Sequence, residues 1–582
     1  MKKLLGYMKG YRRVAVIGPL IKWLEALFEL LVPLVVARLI DEGIPASVES
    51  GNNSQAWRLC AVMAVLGIVG FVCSLVAQYF SAVAATGFAA KLRRAMFEHT
   101  QKLSFSGLDK IGNATIISRL TGDLSQVQTG VNMFLRLFLR SPFVVFGAMV
   151  MAFTVDVKAS LVFLLAIPLL FLAVAIIMRL TVPKYRDVQS KNDTLFHITG
   201  ENITGVRVIR AFGMEEDETE RFRDAADELT KFQIVANRVS ALMNPVTFVI
   251  INAAMIVLIY SGAIRVNIGN LTQGEVIALV NYMSQILVEL IKLANLIITV
   301  TKAIAAGGRI SEFLETSVET DDLPVIDFAD DGVSDIAVRF ENVSFTYPDA
   351  ASPSIENISF ELQSGKTLGI IGPTGSGKTT LVNLIPRFYD AGEGRVLVFG
   401  HDVRSIPLDE LRDTVGIAEQ RSRIFSGTVR DNLTFGKNID DGTLESAVKT
   451  AQASDFIEKR EDGLDSKLTS GGKNLSGGQR QRMNIARALA KSPKILILDD
   501  SSSALDYATD ASLRRSLSEL CGMSVIIISQ RAASVRHADR ILVLDDGEIA
   551  GIGTFDELIG SCKVFGEICR SQGIEGGVPS EA

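Results

Sequence analysis

The chain has 582 residues, a hydrophobic fraction of 48% and a mean hydropathy of +0.30, values that exclude a single small soluble domain. Its net charge of −6 provides no basic field for nucleic acid, and its 5 cysteines and 4 histidines show no metal-site or disulfide spacing. Because the apolar residues are concentrated in roughly the first 310 positions, we expect a membrane half followed by a soluble half in a reducing cytosol.

Apolar stretches long enough to cross a bilayer occur six times in the first half of the chain. They cover residues 14–36, 58–85, 136–156, 158–180, 243–264 and 275–300. Basic residues lie before the first stretch and after the second and fourth, whereas the connection at residues 41–55 carries acids and no lysine or arginine. The positive-inside rule therefore predicts a multi-pass protein of the inner or plasma membrane, with its N-terminus and its soluble half in the cytosol. The N-terminus lacks a signal-peptide cleavage pattern, so we expect the first stretch to remain as an anchor.

Two connections between these stretches are long, about fifty residues after the second and about sixty after the fourth. Periodic apolar residues in them are typical of amphipathic helices in water. We expect these helices to extend into the cytosol and turn back, and we expect the segments near residues 112–119 and 200–212 to carry motion of the soluble half to the spans.

Ionisable and polar residues interrupt the first and sixth apolar stretches. They are Lys22, Glu25 and Glu29 in the first, and Asn281, Gln285, Glu289 and Lys292 in the sixth. A charge that faces lipid is costly, so these faces should meet protein or a watery cavity. Two interpretations stay open, a substrate pathway and structural ion pairs such as Lys22 with Glu25 or Glu289 with Lys292.

A phosphate-binding loop follows the apolar run Leu368 to Ile371 and precedes a predicted helix. Its residues are Gly372, Pro373, Thr374, Gly375, Ser376, Gly377, Lys378 and Thr379, with Thr380 next in the chain. A glycine-rich turn directs backbone N–H groups at phosphates, Lys378 places a cation on the β- and γ-phosphate oxygens, and the Thr379 hydroxyl can bind Mg²⁺. The alternative, a glycine-rich turn that binds nothing, leaves Lys378 unexplained. The pattern predicts ATP and Mg²⁺ as ligands.

A second element of the same chemistry ends the apolar run Lys494 to Leu498. Asp499 follows it and is the expected carboxylate of the Mg²⁺ site. The alternative role, a helix cap at the end of a strand, accounts for Asp499 alone.

The soluble half shows strand and helix patterns in alternation. The runs Val338–Phe340 and Val343–Phe345 predict strands, and the later alternation predicts an α/β domain with a largely parallel sheet. We therefore expect a multidomain membrane protein, an all-α transmembrane domain of six helices followed by an α/β P-loop domain. The expected limits are 1–315 for the transmembrane domain, 316–335 for a linker, 336–575 for the nucleotide-binding domain and 576–582 for a tail.

The run Leu475, Ser476, Gly477, Gly478 and Gln479 resembles the signature motif of the ATP-binding cassette (ABC) family. Together with the phosphate loop and Asp499, it identifies the sequence as a member of the ABC transporters. The order of six spans and then a cassette resembles an exporter-type half-transporter, and residues 201–212 are similar to the second intracellular loop of that class. The resemblance implies an ATPase-coupled transporter.

The resemblance also assigns further residues. Tyr347 matches the aromatic residue that stacks on adenine, Gln420 the glutamine that contacts Mg²⁺, and Asp506 the end of the D-loop. In the family, the signature residues cap the γ-phosphate held by the opposite cassette. The resemblance therefore implies a second ABC half-transporter as partner.

Three positions depart from the family pattern. The catalytic glutamate after the Mg²⁺-site aspartate is replaced by Asp500, and the switch histidine is replaced by Gln530. The third departure is Ser470, which stands where exporters often carry the acid of the X-loop. His537 matches a variable position of the family and is not assigned the role of the switch histidine. A carboxylate about 1.5 Å short of its water can lose around a hundredfold in rate, and a glutamine cannot carry positive charge.

The joint change of Asp500 and Gln530 favours one impaired site in a heterodimer of the bacterial multidrug type, with the intact signature serving the partner's site. A homodimeric exporter and an exporter-shaped importer are the alternatives, and a cassette-gated channel or regulatory membrane sensor is the alternative of another class. A drug-like small molecule, a lipid or a peptide stays open as the transported substrate, and amphipathic cargo is expected.

Overall fold

The computed structural model describes residues 3–50, 53–319, 335–348, 350–520 and 522–574. The chain forms two compact units. Unit 1 comprises Met1–Gln101 and Asn113–Thr316, and unit 2 comprises Lys102–Gly112 and Ser317–Ala582. Most of the expected linker 316–335 and the whole expected tail 576–582 lie outside the described residues, and the expected domain limits stay predictions. Lys102–Gly112, from within the expected transmembrane domain, belongs to unit 2.

The described residues from 3 to 313 are mostly helical. Their helices are α1 (Arg12–Arg38), α2 (Ile44–Ser50), α3 (Ser54–Lys102), α4 (Phe105–Ile111), α5 (Asn113–Ser118), α6 (Leu124–Leu137), α7 (Arg140–Val155), α8 (Val157–Phe212), α9 (Glu215–Ala241), α10 (Met243–Asn267) and α11 (Gln273–Phe313). The α8 helix begins where Asp156 accepts a hydrogen bond from the Ala159 N–H at 2.6 Å, and it ends at Gly213, whose φ of +66° favours glycine. The second long connection is therefore the paired helices α8 and α9, as the periodicity predicts.

Five helical stretches among the described residues are long and apolar enough to cross a membrane. They are Ser54–Lys102, Asn113–Val155, Val157–Phe212, Glu215–Asn267 and Gln273–Phe313. The sixth expected span, α1, has 27 residues and so sufficient length, but Lys22, Glu25 and Glu29 lower its apolar character.

The α11 helix lies at the centre of unit 1, where it packs against α1, α6, α7 and α10. Its N-terminus has a capping box, in which Thr272 and Glu275 satisfy each other's backbone N–H groups. Tyr282 and Met283 on α11 are fully buried in the apolar core of the unit, and the Tyr282 hydroxyl donates to the Leu30 carbonyl at 2.8 Å. This contact joins α11 to α1.

Unit 2 beyond Ser317 is an α/β domain. Its strands are β1 (Ile336–Phe345), β2 (Ile355–Gln363), β3 (Thr367–Ile371), β4 (Glu393–Val398), β5 (His401–Asp402), β6 (Val415–Ala418), β7 (Gly427–Thr428), β8 (Lys467–Leu468), β9 (Ile495–Asp499), β10 (Ser524–Ile528), β11 (Arg540–Asp545) and β12 (Glu548–Gly553). Its helices are α12 (Lys378–Asn383), α13 (Leu408–Thr414), α14 (Val429–Thr434), α15 (Asp441–Thr450), α16 (Ser454–Ile457), α17 (Gly477–Ala490), α18 (Tyr507–Ser518), α19 (Ala532–Val535), α20 (Phe555–Ser561) and α21 (Lys563–Ser571).

Two sheets carry most of these strands. The larger sheet has the order β12-β11-β3-β10-β9-β6, with parallel pairing from β11 to β6 and an antiparallel β12 at its edge. The smaller sheet is antiparallel, in the order β2-β1-β4-β5. The prediction of a largely parallel sheet in an α/β domain is confirmed.

The two strand runs predicted at Val338–Phe340 and Val343–Phe345 form one strand, β1. Its pairing with β2 shifts register between Phe340 and Val343, and Asn342 between them has a φ of +49°. A β-bulge therefore interrupts the alternation of apolar residues without ending the strand.

Candidate nucleotide-binding site

The parallel pairing of three strands brings the predicted site residues to one edge of the larger sheet. Ile528 at the end of β10 pairs with Ile370 of β3 on one side and with Asp499 of β9 on the other. The phosphate-binding loop follows β3, Asp500 follows β9, and Gln530 follows β10. Because parallel strands end at the same edge, residues distant in sequence meet there.

The phosphate-binding loop requires glycine at three positions. Gly375 and Gly377 have φ angles of +87° and +88°, which side chains rarely adopt. A Cβ atom on Gly372 would lie 2.1 Å from the Leu544 carbonyl oxygen of the neighbouring strand β11. The backbone of the loop therefore depends on glycine for both conformation and close packing.

Lys378 is buried at the base of this loop. Its Nζ donates to the carbonyl oxygens of Gly372 at 3.0 Å and Pro373 at 2.6 Å, and to the Ser376 hydroxyl at 3.2 Å. Burial lowers the pKa of Lys378 from its ordinary value, and the charge of Asp499 opposes this shift. Phosphate oxygens placed in the loop would supply the negative charge that this desolvated cation needs.

Oxygen and amide groups suited to Mg²⁺ stand beside the lysine. The Thr379 hydroxyl donates to Asp499 Oδ1 at 3.2 Å, and Gln420 Nε2 donates to Asp500 Oδ2 at 3.4 Å. Burial raises the pKa of Asp499, against the opposing effects of Thr379 and Lys378, so its ionised form is disfavoured in the protein alone. A hydroxyl, a carboxylate and an amide oxygen are hard ligands of the kind that Mg²⁺ prefers, so the residues present fit this ion.

Asp500 has an unusual backbone conformation. Its φ of +43° lies in the left-handed region, and its N–H donates to the Ile528 carbonyl at 3.0 Å. Burial raises the pKa of Asp500, and the hydrogen bond from Gln420 opposes this shift. Gln530 is exposed, and its backbone carbonyl accepts from Gln572 Nε2 at 2.7 Å.

These residues line a cavity of about 500 Å³ in unit 2. The sequence-predicted residues on its wall are Thr374, Gly375, Gly377, Lys378, Thr379, Thr380, Gln420, Asp499, Asp500 and Gln530. The volume lies within the range of small-molecule sites. The structure thus brings together, at one cavity, the phosphate loop, the metal-site residues, and Asp500 and Gln530, the two residues that differ from the family pattern.

Residues that the sequence did not single out also line the cavity. Ser352, Pro353 and Ser354 lie before β2, and Asp546 and Gly547 form the turn between β11 and β12. The φ angles of Asp546 and Gly547, +45° and +85°, agree with an Asp-Gly hairpin turn, a pattern that can be recognised in a sequence. The turn lies beside the phosphate loop because β11 is next to β3 in the sheet, and no local sequence pattern predicts this position.

The signature residues lie elsewhere in unit 2, at the start of α17. Ser476 is the N-cap of this helix, and Ser476 and Gln479 satisfy each other's backbone N–H groups in a capping box. Ser476 and Gly477 are exposed, whereas Leu475 is buried. None of the residues from Leu475 to Gln479, all within the described part of the chain, lines the cavity.

Two further residues that were predicted to bind nucleotide or lie at a cassette interface make contacts within unit 2. The Tyr347 hydroxyl lies 3.2 Å from Thr380 Oγ1, and its ring packs edge-on against Phe345 and Tyr389. Asp506 caps α18 and accepts from the Thr509 N–H at 2.9 Å. The roles of Tyr347 in adenine stacking and of Asp506 in a cassette interface stay predictions.

The charged residues predicted within the first and sixth spans form an ion-pair network in unit 1. Lys22 pairs with Glu25 at 2.5 Å, and Lys292 pairs with Glu289 at 2.8 Å, so the predicted pairing is confirmed. Arg140 at the start of α7 joins the two groups and was missed, since it lies at the edge of an apolar stretch, far in sequence from its partners. It donates to Glu289 Oε1 at 2.5 Å and to Glu29 Oε2 at 2.6 Å.

Comparison with protein families gives two matches along the chain. Residues 16–290 match the family described as "ABC transporter transmembrane region", and residues 355–503 match the family described as "ABC transporter". The second match contains the phosphate loop, the signature and Asp499.

Similar proteins align over nearly their whole length. The "Uncharacterized ABC transporter ATP-binding protein MT1311" of Mycobacterium tuberculosis (strain CDC 1551 / Oshkosh) is 35% identical over 98% of this chain and 97% of its own. An "ATP-dependent lipid A-core flippase" of Photobacterium profundum is 30% identical over 98% and 97%. A bacterial Atm1-family ABC exporter with ATP bound has the same fold, with a TM-score of 0.81, 23% identity, and 98% and 99% of the two chains covered. By its family matches, its relatives and its fold, the chain belongs to the ABC transporters, as a half-transporter of the exporter type.

Proposed function

We propose that this chain is one subunit of a heterodimeric ABC exporter and that its own nucleotide site hydrolyses ATP slowly. The observation that carries the proposal is the presence of both Asp500 and Gln530 on the wall of the nucleotide cavity. The family has glutamate and histidine at these positions. Since both departures fall on one cavity, a single impaired site explains them together.

In this site, Lys378 binds the β- and γ-phosphate oxygens of ATP, and the loop N–H groups hold the remaining phosphate oxygens. Thr379, Gln420 and Asp499 would hold Mg²⁺, and the bound ion would neutralise negative charge on the phosphates. These functions need only groups that the cavity already presents. ATP binding is therefore expected to be intact.

The step expected to fail is the positioning of the attacking water. Asp500 has one methylene fewer than glutamate, and its carboxylate already accepts from Gln420 at 3.4 Å. A displacement of about 1 Å from productive geometry can cost about a hundredfold in rate. Gln530 donates a hydrogen bond as a neutral group and supplies no positive charge to the transition state.

The intact signature supports a role for this chain at a second nucleotide site. Ser476 and Gly477 are exposed and lie outside the cavity of their own unit. A hydroxyl and free N–H groups at the start of α17 are suited to a γ-phosphate that a partner chain presents. The proposed partner is a half-transporter that keeps the glutamate and the histidine.

The proposed transport cycle alternates an inward-facing and an outward-facing cavity as the two cassettes close on ATP and reopen. The cytosolic segments near residues 112–119 and 200–212 are proposed to carry cassette motion to the spans. The helix before the first of them, α4, packs within unit 2, where Phe105 stacks on Phe388 at 4.5 Å and the Tyr389 hydroxyl donates to Asp109 at 2.6 Å. In this proposal the cassette and the N-terminus lie in the cytosol, as the positive-inside rule predicts. The lipid A-core flippase relative supports an amphipathic cargo.

The test compares the full chain purified alone with the chain co-expressed with a half-transporter that keeps the glutamate and the histidine, which we expect the neighbouring gene to encode. Alone, the chain should bind ATP in the presence of Mg²⁺ and hydrolyse it slowly, whereas the co-expressed complex should turn over rapidly. Lys378→Met is the control that removes ATP binding by the chain alone. Rapid hydrolysis by the chain alone would reject the impaired site, and Asp500→Asn would then report whether Asp500 is the base.

A further inference from the structure

A second cavity, of about 330 Å³, lies in unit 1 between α1 and α11. Its wall includes Glu29, Val32 and Val36 of α1 and Gln285, Val288 and Lys292 of α11. The volume is at the lower end of the range for small-molecule sites, about 300–1,000 Å³. It suits a polar headgroup or a small solute, whereas long acyl chains would have to lie outside it.

The ion-paired charges beside this cavity balance, and Arg136, a further cation within electrostatic range of Lys22, lies outside the cavity wall. Lys22, Arg140 and Lys292 form ion pairs with Glu25, Glu29 and Glu289, three cations with three carboxylates. Charges inside a membrane protein are costly unless they are paired, so a neutral network is the stable arrangement. A ligand of net charge zero preserves this balance, and a singly charged ligand disturbs it.

Two members of the network keep binding capacity on the cavity wall. Glu289 is 3% exposed and accepts from Arg140, Ser141 and Lys292, so it is fully engaged. The side chains of Glu29 and Lys292 are 39% and 41% exposed. In the contacts of the described residues, Glu29 accepts through Oε2 alone and Lys292 donates once, to Glu289.

The free groups are therefore one carboxylate oxygen of Glu29 and two N–H donors of Lys292. The Gln285 Oε1 atom, also in this part of α11, is buried without a hydrogen-bond partner. Arg136, one turn before Arg140, does not line the cavity. The wall thus offers one free anionic contact, one free cationic contact and the Gln285 amide acceptor, with Asn281, Ser284 and valine side chains beside them.

We propose that this cavity binds a zwitterionic group, with a protonated amine on Glu29 and an acidic oxyanion on Lys292. The proposal rests on the proposed exporter function and names the chemical class of its cargo. A ligand with one charge would satisfy one wall group and leave the other unmatched. The same chemistry occurs in the headgroup of an ethanolamine phospholipid and in a soluble phosphodiester that carries an amine.

The test measures lipid binding by the full chain in detergent, without nucleotide and without a second chain. The probes are three lipids with the same fluorescent acyl chain, whose headgroups are phosphoethanolamine, phosphoglycerol and trimethylammonium. Dissociation constants are obtained from fluorescence anisotropy. The phosphoethanolamine lipid should bind about tenfold more tightly than either singly charged lipid, the factor expected for one charge-assisted hydrogen bond. Competition by soluble glycerophosphoethanolamine would indicate a soluble cargo, and absence of competition would indicate a lipid.

Two variants assign the contacts. Glu29→Gln should weaken binding of the phosphoethanolamine lipid about tenfold and leave the phosphoglycerol lipid unchanged. Lys292→Gln should weaken both phosphate-containing lipids and leave the trimethylammonium lipid unchanged. Glu42→Gln and Lys302→Gln are matched controls, because both positions are exposed and lie outside the cavity.

Equal binding of the three lipids, or unchanged constants in both cavity variants, would overturn the proposal. Thermal unfolding of each variant identifies one that fails to fold, in which case the other variant decides. Because binding is measured without ATP, failure here leaves the slow-hydrolysis proposal untouched. Conversely, rapid hydrolysis by the chain alone would not alter the lipid preference.

Discussion

Two aspartates of unit 2 have pKa values shifted in opposite directions by different causes. Burial raises the pKa of Asp499, against the opposing effects of Thr379 and Lys378. Hydrogen bonds from the Thr509 backbone N–H and hydroxyl lower the pKa of Asp506. The ionised form of Asp499 is therefore unfavourable in the protein alone, whereas the ionised form of Asp506 is stabilised.

Asp499→Asn should raise the melting temperature of the nucleotide-free full chain at pH 7 and abolish Mg²⁺-dependent hydrolysis. Because the pKa of Asp499 is raised in the folded state, its protonated carboxyl stabilises the fold below the unfolded-state pKa. This contribution is lost as pH rises through the folded-state pKa. The gain from asparagine is thus present at pH 7 and shrinks in acid. We expect the melting temperature to rise by about 2–4 °C, the shift that about 1 kcal/mol produces in a domain of about 150–250 residues. Thermal unfolding between pH 5 and pH 8 measures it.

Asp506→Ala provides the control of opposite sign. Its lowered pKa means that Asp506 stabilises α18 above its unfolded pKa and that this contribution is lost as pH falls through the folded pKa. The variant should therefore melt below the wild type at pH 7. A melting temperature of Asp499→Asn below that of the wild type at pH 7 would contradict the stated cost of the buried carboxylate.

At the scale of elements, α11 is fixed to α1 at one end by close backbone contact. A Cβ atom on Gly274 would lie 2.3 Å from the Ala37 carbonyl oxygen, and the Gly274 N–H donates to Asp41 Oδ1 at 2.8 Å. Asp41 Oδ2 also accepts from the Thr272 hydroxyl at 2.5 Å. The glycine therefore sets the approach of the two helices.

Gly274→Ala should destabilise unit 1 by about 1–3 kcal/mol, because the added methyl group forces the helices apart. Gly200→Ala on α8 is the matched control, since a Cβ atom there meets nothing within 4 Å. Alanine at that position should be neutral or stabilising by about 0.5–1 kcal/mol. Thermal unfolding of both variants in detergent provides the comparison, and equal effects would argue against the close contact.

Arg140 connects α1, α7 and α11 through Glu29 and Glu289. Arg140→Met should lower stability by about 3–5 kcal/mol, because it removes the cation shared by the buried Glu289 and the partly exposed Glu29 and leaves Glu289 with Lys292 alone. Adding Glu289→Gln should recover part of this loss by removing one of those charges. Arg207→Met, at an exposed position on α8, should have little effect. Folded yield and thermal unfolding report the result, and no recovery in the double variant would contradict the electrostatic cause.

Local patterns predicted much of this architecture. Apolar length gave the long helices, and the glycine-rich loop and Asp499 gave the two main parts of the nucleotide site. The sequence did not predict Arg140 as the centre of the ion-pair network, since its partners Glu29 and Glu289 are 111 and 149 residues away. Ser354 and Gly547 were also missed, because their positions in the cavity depend on the order of strands in the sheets.

At the scale of the whole molecule, the two halves of an ABC nucleotide site lie apart within one chain. The cavity holds the phosphate loop, Asp499 and Asp500, whereas the signature at the start of α17 is outside it. Under the proposed heterodimer, substitutions in these two regions should act on different nucleotide sites.

In the co-expressed complex, Ser476→Arg should reduce ATP hydrolysis by at least about a hundredfold, because this serine would serve the partner's competent site. Lys378→Met in the same chain should leave most of the hydrolysis, since it affects the slow site. The steady-state rate of each purified complex is the measurement, with the partner unchanged. Equal losses in the two variants would contradict the asymmetric assignment.

The ion-pair network also has a consequence for synthesis of the protein. Lys22, Glu25 and Glu29 enter the membrane with α1, but Arg140 is made more than a hundred residues later. Lys22 and Glu25 pair with each other within α1, so Glu29 is left without a partner, and one unpaired charge at the centre of an inserted helix costs about 2.5–3.5 kcal/mol. We therefore expect α1 to stay beside the translocon, shielded from lipid, until α7 emerges from the ribosome and supplies the missing cation.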